Sequence, residues 1–249
     1  MMAIIRHPLR LLLLVLCGLL ASCIEGREEY WIESNGSGMA EIHYDVPAAI
    51  AAGLGGEAGI SKLLDQFIKD TPTLTHAVCQ VRRKGDRMAV DFKASFKSVL
   101  DLITAVSGNS VLSAGDAKAL VNPLIGQFDI RQRGRGVELT RTVKPSGALP
   151  GSLFMPDSQF TGRRLQYILH LPVRVLESNA TRTEDGGRTL IWDHSLKDGL
   201  KKNIVIHFKA AMPLPWWIMA VAAVTLVLSG WLGFRWWRRR NRLPVPPHA

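Results

Sequence analysis

The chain has 249 residues, enough for one domain or two small ones. With 47% hydrophobic residues, three cysteines and ordinary glycine and proline content, it is not a collagen, a coiled coil, a disulfide scaffold or a disordered chain. The net charge of +10 sits largely at the ends: removing Arg6, Arg10, Arg235, Arg238, Arg239, Arg240 and Arg242 from the 31 basic residues leaves 24 against 21 acidic ones. That distribution argues against nucleic acid as a partner, because a nucleic-acid binder carries its charge on the folded domain.

Residues 1–22 have the plan of a secretory signal: Arg6 and Arg10, then the apolar run Leu11 to Leu20, then small residues. Ten residues are too few to cross a bilayer, which takes about 20. The run ends in Leu20-Ala21-Ser22-Cys23, which resembles a bacterial lipobox. The resemblance implies cleavage before Cys23 and acylation of its sulfur, palmitate being a typical chain; a plain secretory signal with a chance cysteine is the alternative. Cys17 then leaves with the signal, so Cys79 has no partner in the mature chain and is expected to be a buried, inert thiol.

The segment 23–211 reads as an extracytoplasmic α+β domain. Tyr30 to Ser34 and Met39 to Val46 flank Asn35-Gly36-Ser37-Gly38, and Ala40, Ile42, Tyr44 and Val46 alternate with polar residues, which predicts a hairpin ending at Pro47. Gly53 to Gly56 lacks the preceding strand and lysine of a phosphate loop and is expected to be a plain loop. Glu57 to Thr71 places Ile60, Leu63, Leu64, Phe67 and Ile68 on one helical face. A second hairpin, Ala77 to Arg83 and Arg87 to Phe96, turns at Lys84-Gly85-Asp86. Helices are expected at Lys97 to Val106 and about Ala114 to Ile125. A third hairpin, Phe128 to Arg133 and Val137 to Lys144, turns at Gly134-Arg135-Gly136. The alternation of hairpin and helix looks like a weak repeat and predicts an antiparallel sheet of hairpins with helices packed on one face.

Pro145 to Gly162 is rich in proline and glycine yet contains Leu149, Leu153, Phe154 and Met155, which suits an apolar flap over the core. Closing strands are expected at Arg164 to Leu171, at Val173 to Glu177 paired with Leu190 to His194 through the Asp185-Gly186-Gly187 turn, and at Asn203 to Ala210. Trp192 shares a face with Leu190 and His194 and should be core. Beyond the domain, residues 216–235 form an apolar stretch flanked by Trp216, Trp217, Trp236 and Trp237, long enough for a transmembrane helix. The Arg-rich tail 236–249 is then cytoplasmic. A cleavable sorting tail is disfavoured because Pro213-Leu214-Pro215 is not followed by Thr-Gly.

The lipobox, the Gly36-Ser37-Gly38 turn, the stretch Leu171-Pro172-Val173-Arg174-Val175-Leu176-Glu177-Ser178-Asn179, the later Gly187 and Leu190-Ile191-Trp192, and the Trp-flanked span together resemble the LppM-domain family of bacterial membrane lipoproteins. Family members tend to have Phe-Pro-Gly where this chain has Leu171-Pro172-Val173. The resemblance covers about residues 20–242 and implies an α+β ectodomain with contact to lipid or glycolipid.

The sequence holds no nucleophile elbow, zinc-protease helix, Walker loop or Cys-x-x-Cys. His43 and His207 lie on the polar sides of their strands, and the adjacent Asp193 and His194 point to opposite faces. No enzyme activity, metal or cofactor is expected. The remaining signal is electrostatic: Arg82, Arg83, Lys84 and Arg87 form one hairpin tip and Arg131, Arg133 and Arg135 another. Near anionic lipid each is worth about 1 kcal/mol, and Leu153, Phe154 and Met155 could add burial at a membrane surface. The expected protein is a non-enzymatic lipoprotein of the bacterial cytoplasmic membrane, its ectodomain outside and in contact with membrane lipids. The other reading is a structural or assembly subunit whose partners are envelope proteins.

Overall fold

The computed structural model describes residues 24–107, 122–133, 136–149 and 157–211, all within one compact unit that ends at Ala211. Strands β1 (Glu25–Ile32) and β2 (Gly38–Pro47) form the first hairpin, in register from Glu25 opposite Asp45 to Ile32 opposite Gly38. Asn35 Oδ1 accepts from the Ser37 amide at 2.9 Å and closes the turn. Gly38 is required by space: a Cβ there would sit 1.9 Å from the Trp31 carbonyl oxygen and 2.6 Å from the Phe96 ring.

The expected plain loop at Gly53 to Gly56 is shorter than the sequence suggested. Ala48–Gly53 forms a short helix, α1, and α2 (Gly56–Asp70) begins at once. Helix α2 lies on β3 (Leu74–Lys84), which pairs with β4 (Arg87–Phe96). Ala51, Ile60, Val81 and Met88 form a small core beneath α1 and α2, with Cys79 packed at its edge. Cys79 is half-buried there and not fully buried as expected, and its partial burial pushes the thiol pKa up.

Helix α3 (Val99–Ser107) follows, then β5 (Gln127–Arg133) and β6 (Gly136–Val143). Most of the second expected helix, Ala114 to Ile125, lies outside the described residues. The apolar segment after β6 contributes α4 (Pro145–Ala148) to the interior: Pro145, Ala148, Leu149 and Phe160 are all buried. The chain then forms β7 (Arg164–His170), β8 (Val175–Ser178), β9 (Arg182–Glu184), β10 (Thr189–Ser195), α5 (Leu196–Lys201) and β11 (Ile204–Ala211).

The expected single antiparallel sheet is in fact two sheets, one of them mixed. Seven strands run in the order β3-β4-β2-β1-β7-β10-β9, and four in the order β5-β6-β11-β8. Within the larger sheet β1 and β7 are parallel, Gly26 opposite Leu165 through Trp31 opposite His170. The third hairpin belongs to the smaller sheet, so the alternation of hairpins and helices is not a spatial repeat. Strand β8 also leaves its expected partner: it pairs with β11, while β10 pairs with β7 and with the three-residue β9. Pro172 lies in the break between β7 and β8, where its missing N–H interrupts the ladder and lets the chain cross to the other sheet.

The two sheets enclose the main core. Val143, Leu165, Leu190, Trp192, Leu196, Ile204 and Phe208 are buried there, and Trp192 occupies the central place its alternation predicts. Asn179 joins the sheets at the same point. Its Oδ1 accepts from Trp192 Nε1 and from the His207 amide, each at 2.8 Å, and its Nδ2 donates to the Val205 carbonyl at 2.8 Å.

Candidate functional site

The two sheets do not close completely upon each other. Between the inner face of the larger sheet, strands β6 and β11, and helices α2 and α3 lies a cavity of about 350 Å³, walled almost wholly by apolar side chains. Strand alternation builds the walls. Tyr30 and Ile32 from β1, Ala40, Ile42 and Val46 from β2, Val90, Phe92 and Phe96 from β4, and Ile206 and Phe208 from β11 all line the cavity. The sheet side is tight, with Ala40 at 3% and Phe96 at 2% exposure. The helix side is not: of the α2 lining residues only Ile60 is buried, and none of the described side chains of α3 is. Among the described residues helix α2 leans on β3 and α3 on β5, and the cavity opens between them.

An ion pair is built into the wall, and the hydroxyl of Tyr167, another lining residue, is buried there without a hydrogen-bond partner. Glu28 of β1 and Arg141 of β6, from different sheets and 113 positions apart, form a buried bidentate pair: Arg141 donates to Glu28 Oε2 at 2.6 Å and to Oε1 at 3.0 Å. Tyr30 donates to Oε2 at 2.8 Å and Tyr44 to Oε1 at 2.6 Å. Arg141 also donates to the carbonyls of Ile125 and Leu124, at 2.8 and 3.1 Å. Its guanidinium lies 5.3 Å from the Phe128 ring centre and 5.1 Å from that of Tyr167. Gly26 makes room for this arrangement, because a Cβ there would meet the Tyr44 ring at 2.3 Å.

Burial alone would raise the Glu28 pKa, but the Arg141 charge and the bonds from Arg141, Tyr44 and Tyr30 outweigh it and hold the carboxyl below its ordinary range. Burial, then the Glu28 charge, pushes both Tyr30 and Tyr44 well above the usual phenol range. Burial works against the Arg141 charge, and Glu28 more than restores it. Every oxygen of Glu28 is thus doubly engaged by protein donors. A pair so fully satisfied pins β1 to β6, and its remaining consequence for a ligand is exclusion: the cavity offers apolar contact and no unoccupied carboxylate lone pair.

These four residues are absent from the expected site. Their signal was present in part, since Arg141 falls in phase with Leu139 and Val143, and Glu28 with Tyr30 and Ile32, so each is a charge on an inward face. What the sequence withholds is that the two charges meet.

The expected lipid-contact residues lie elsewhere. Arg82 is bound to Asp91 at 2.7 Å on the outer face of the larger sheet, Arg83 donates to the Gly85 carbonyl, and Arg87 donates to the Asp45 carbonyl at 2.9 Å. Lys84 is exposed at the end of β3. Arg131 pairs with Asp129 at 2.7 Å at the end of β5, and Arg133 closes that strand. The two basic tips therefore belong to different sheets. Cys23, Arg135, Leu153, Phe154, Met155 and the span 216–235 lie outside the described residues. His43 is drawn to Asp91, at 2.5 Å, and His207 to Thr140, at 3.1 Å.

No family model matches the chain, and no curated protein matches it. Among solved structures it is similar to the NMR structure of the folded domain of the Mycobacterium tuberculosis LppM protein, at 13% identity and a TM-score of 0.47, over 78% of this chain and 93% of that one. The likeness concerns the fold alone.

Proposed function

We infer that the protein is a non-enzymatic envelope lipoprotein whose ectodomain takes the apolar part of a membrane lipid into the cavity between its sheets. The carrying observation is the cavity itself: about 350 Å³, within the range of small-molecule sites, apolar on nearly every wall and open on the helix side. A concave apolar pocket is what a lipid-contacting ectodomain needs and a flat interaction module does not. Burying methylenes is worth about 0.8 kcal/mol each, so a chain of ~12 carbons gains roughly 10 kcal/mol before ordering costs.

The full chain, extracted in detergent, is expected to carry lipid through purification, read by mass spectrometry of the organic extract. Leu64→Trp, which fills the cavity from the helix side, should reduce that lipid several-fold. Equal recovery from the variant, or no lipid from either, would place the function on the outer surface and favour a protein-interaction role.

Anchoring follows from the ends of the chain. Acylated Cys23 and the span 216–235 would hold the domain at one bilayer, where even weak lipid contacts are populated. Cys23→Ala should abolish incorporation of labelled palmitate. Undiminished labelling of that variant would refute acylation at this residue.

A further inference from the structure

The ion pair in the cavity wall bears on which end of a lipid enters. This inference rests on the reading of the cavity as an acyl-chain site and adds the class of chain it accepts. Glu28 is the cavity's only carboxylate among the described residues, and its two oxygens are taken up by Arg141, Tyr30 and Tyr44. Arg141 in turn spends donors on Glu28 and on two backbone carbonyls. Both tyrosine rings line the cavity while their hydroxyls face the carboxylate. They turn the acidic spot in the wall into an aromatic surface. A hydroxyl or carboxyl arriving at the far end of a bound chain would lose its water and find both oxygens of Glu28 already engaged, the situation in which burial of a polar group is costly.

Volume sets the second limit. An apolar cavity of about 150 Å³ holds a six-carbon benzene; on that scale 350 Å³ corresponds to ~14 carbons. That is the room one acyl chain needs. The half-exposed helix side is where a headgroup can stay in water.

We propose that the cavity takes a single unsubstituted acyl chain, methyl end first, and that Tyr30 and Tyr44 are its specificity-determining residues, because by occupying Glu28 they deny the carboxylate to any chain with a polar terminus. The test uses the full-length chain held in amphipol, with cis-parinaric acid as the reporter and displacement by hexadecanoic acid, 16-hydroxyhexadecanoic acid and dipalmitoylphosphatidylglycerol. Hexadecanoic acid should displace the reporter on the order of 100-fold better than its 16-hydroxy analogue, the discrimination an apolar pocket shows against an added hydroxyl. The two-chain lipid should displace poorly. Tyr44→Phe uncovers a lone pair of Glu28 Oε1 and should narrow the ratio of the two fatty acids by about tenfold, the worth of one hydrogen bond to a charged group. Tyr30→Phe does the same at Oε2 and serves if the first variant fails to fold, judged by its thermal transition. A reporter that does not bind would overturn the acyl-chain reading altogether. Equal displacement by the two fatty acids would leave that reading standing and overturn the methyl-first orientation, and efficient displacement by the diacyl lipid would overturn the single-chain limit. A ratio unchanged in both tyrosine variants would remove the role assigned to these residues.

Discussion

Arg141→Met should destabilise the domain by about 3–5 kcal/mol at neutral pH, the cost of leaving one member of a buried ion pair without its partner. In a domain of this size that lowers the unfolding midpoint by roughly 10 °C, which circular dichroism of the detergent-held chain will read. The size of the effect comes from the position of Glu28, 4% exposed, with only two neutral hydroxyls left to support its charge once the guanidinium is gone. The double variant Glu28→Leu with Arg141→Met should be more stable than the single one, since it leaves no buried charge behind.

The same variant has a pH signature of opposite sign to the parent. In the parent, Glu28 is held below its ordinary value, so its contribution is present above the unfolded carboxyl pKa of about 4.3 and is lost as pH falls through the lower folded value. Without Arg141, burial dominates and the Glu28 pKa rises above the unfolded value. Stability then declines as pH rises through that raised value. The gap between parent and Arg141→Met should accordingly shrink between pH 7 and about pH 4.5. A gap of constant size across that range would show that Glu28 is not charged in the folded parent.

The second large effect is expected at Asn179→Ala, about 2–4 kcal/mol, although the residue is itself exposed. Its side chain makes three hydrogen bonds of 2.8 Å, and one of the donors is Trp192 Nε1, on a side chain only 1% exposed. Truncation leaves that N–H buried without an acceptor, which costs about 1–3 kcal/mol beyond the bonds lost from the backbone. Asn179→Asp keeps both acceptor roles of Oδ1 and should lose less. Trp192→Phe removes the stranded donor, so the combination of Asn179→Ala with Trp192→Phe should cost at least ~1 kcal/mol less than the sum of the single changes. Strict additivity in denaturant unfolding would mean that Asn179 acts only on β11 and not as a tie between the sheets.

The local elements of this protein are determined by sequence, because each follows from a spacing or a turn. The alternation of Ala40, Ile42, Tyr44 and Val46 places β2 within a residue of its end, the helical spacing of Ile60, Leu63, Leu64 and Phe67 gives α2, and the alternation around Leu190 and Trp192 puts that indole inside. Helix α1 escaped because six residues of alanine, isoleucine and glycine carry no periodic stripe. Partner choice is what only the tertiary structure decided. Backbone ladders are the same whatever the side chains, so alternation tells which face a strand buries and not which strand lies beside it. Hence β8 crosses to β11, β1 runs parallel to β7, and the third hairpin joins a second sheet. The site shares that origin: Glu28 and Arg141 each read as a charge in the apolar phase of a strand, and they become one buried pair only because two sheets bring β1 and β6 together at the cavity wall.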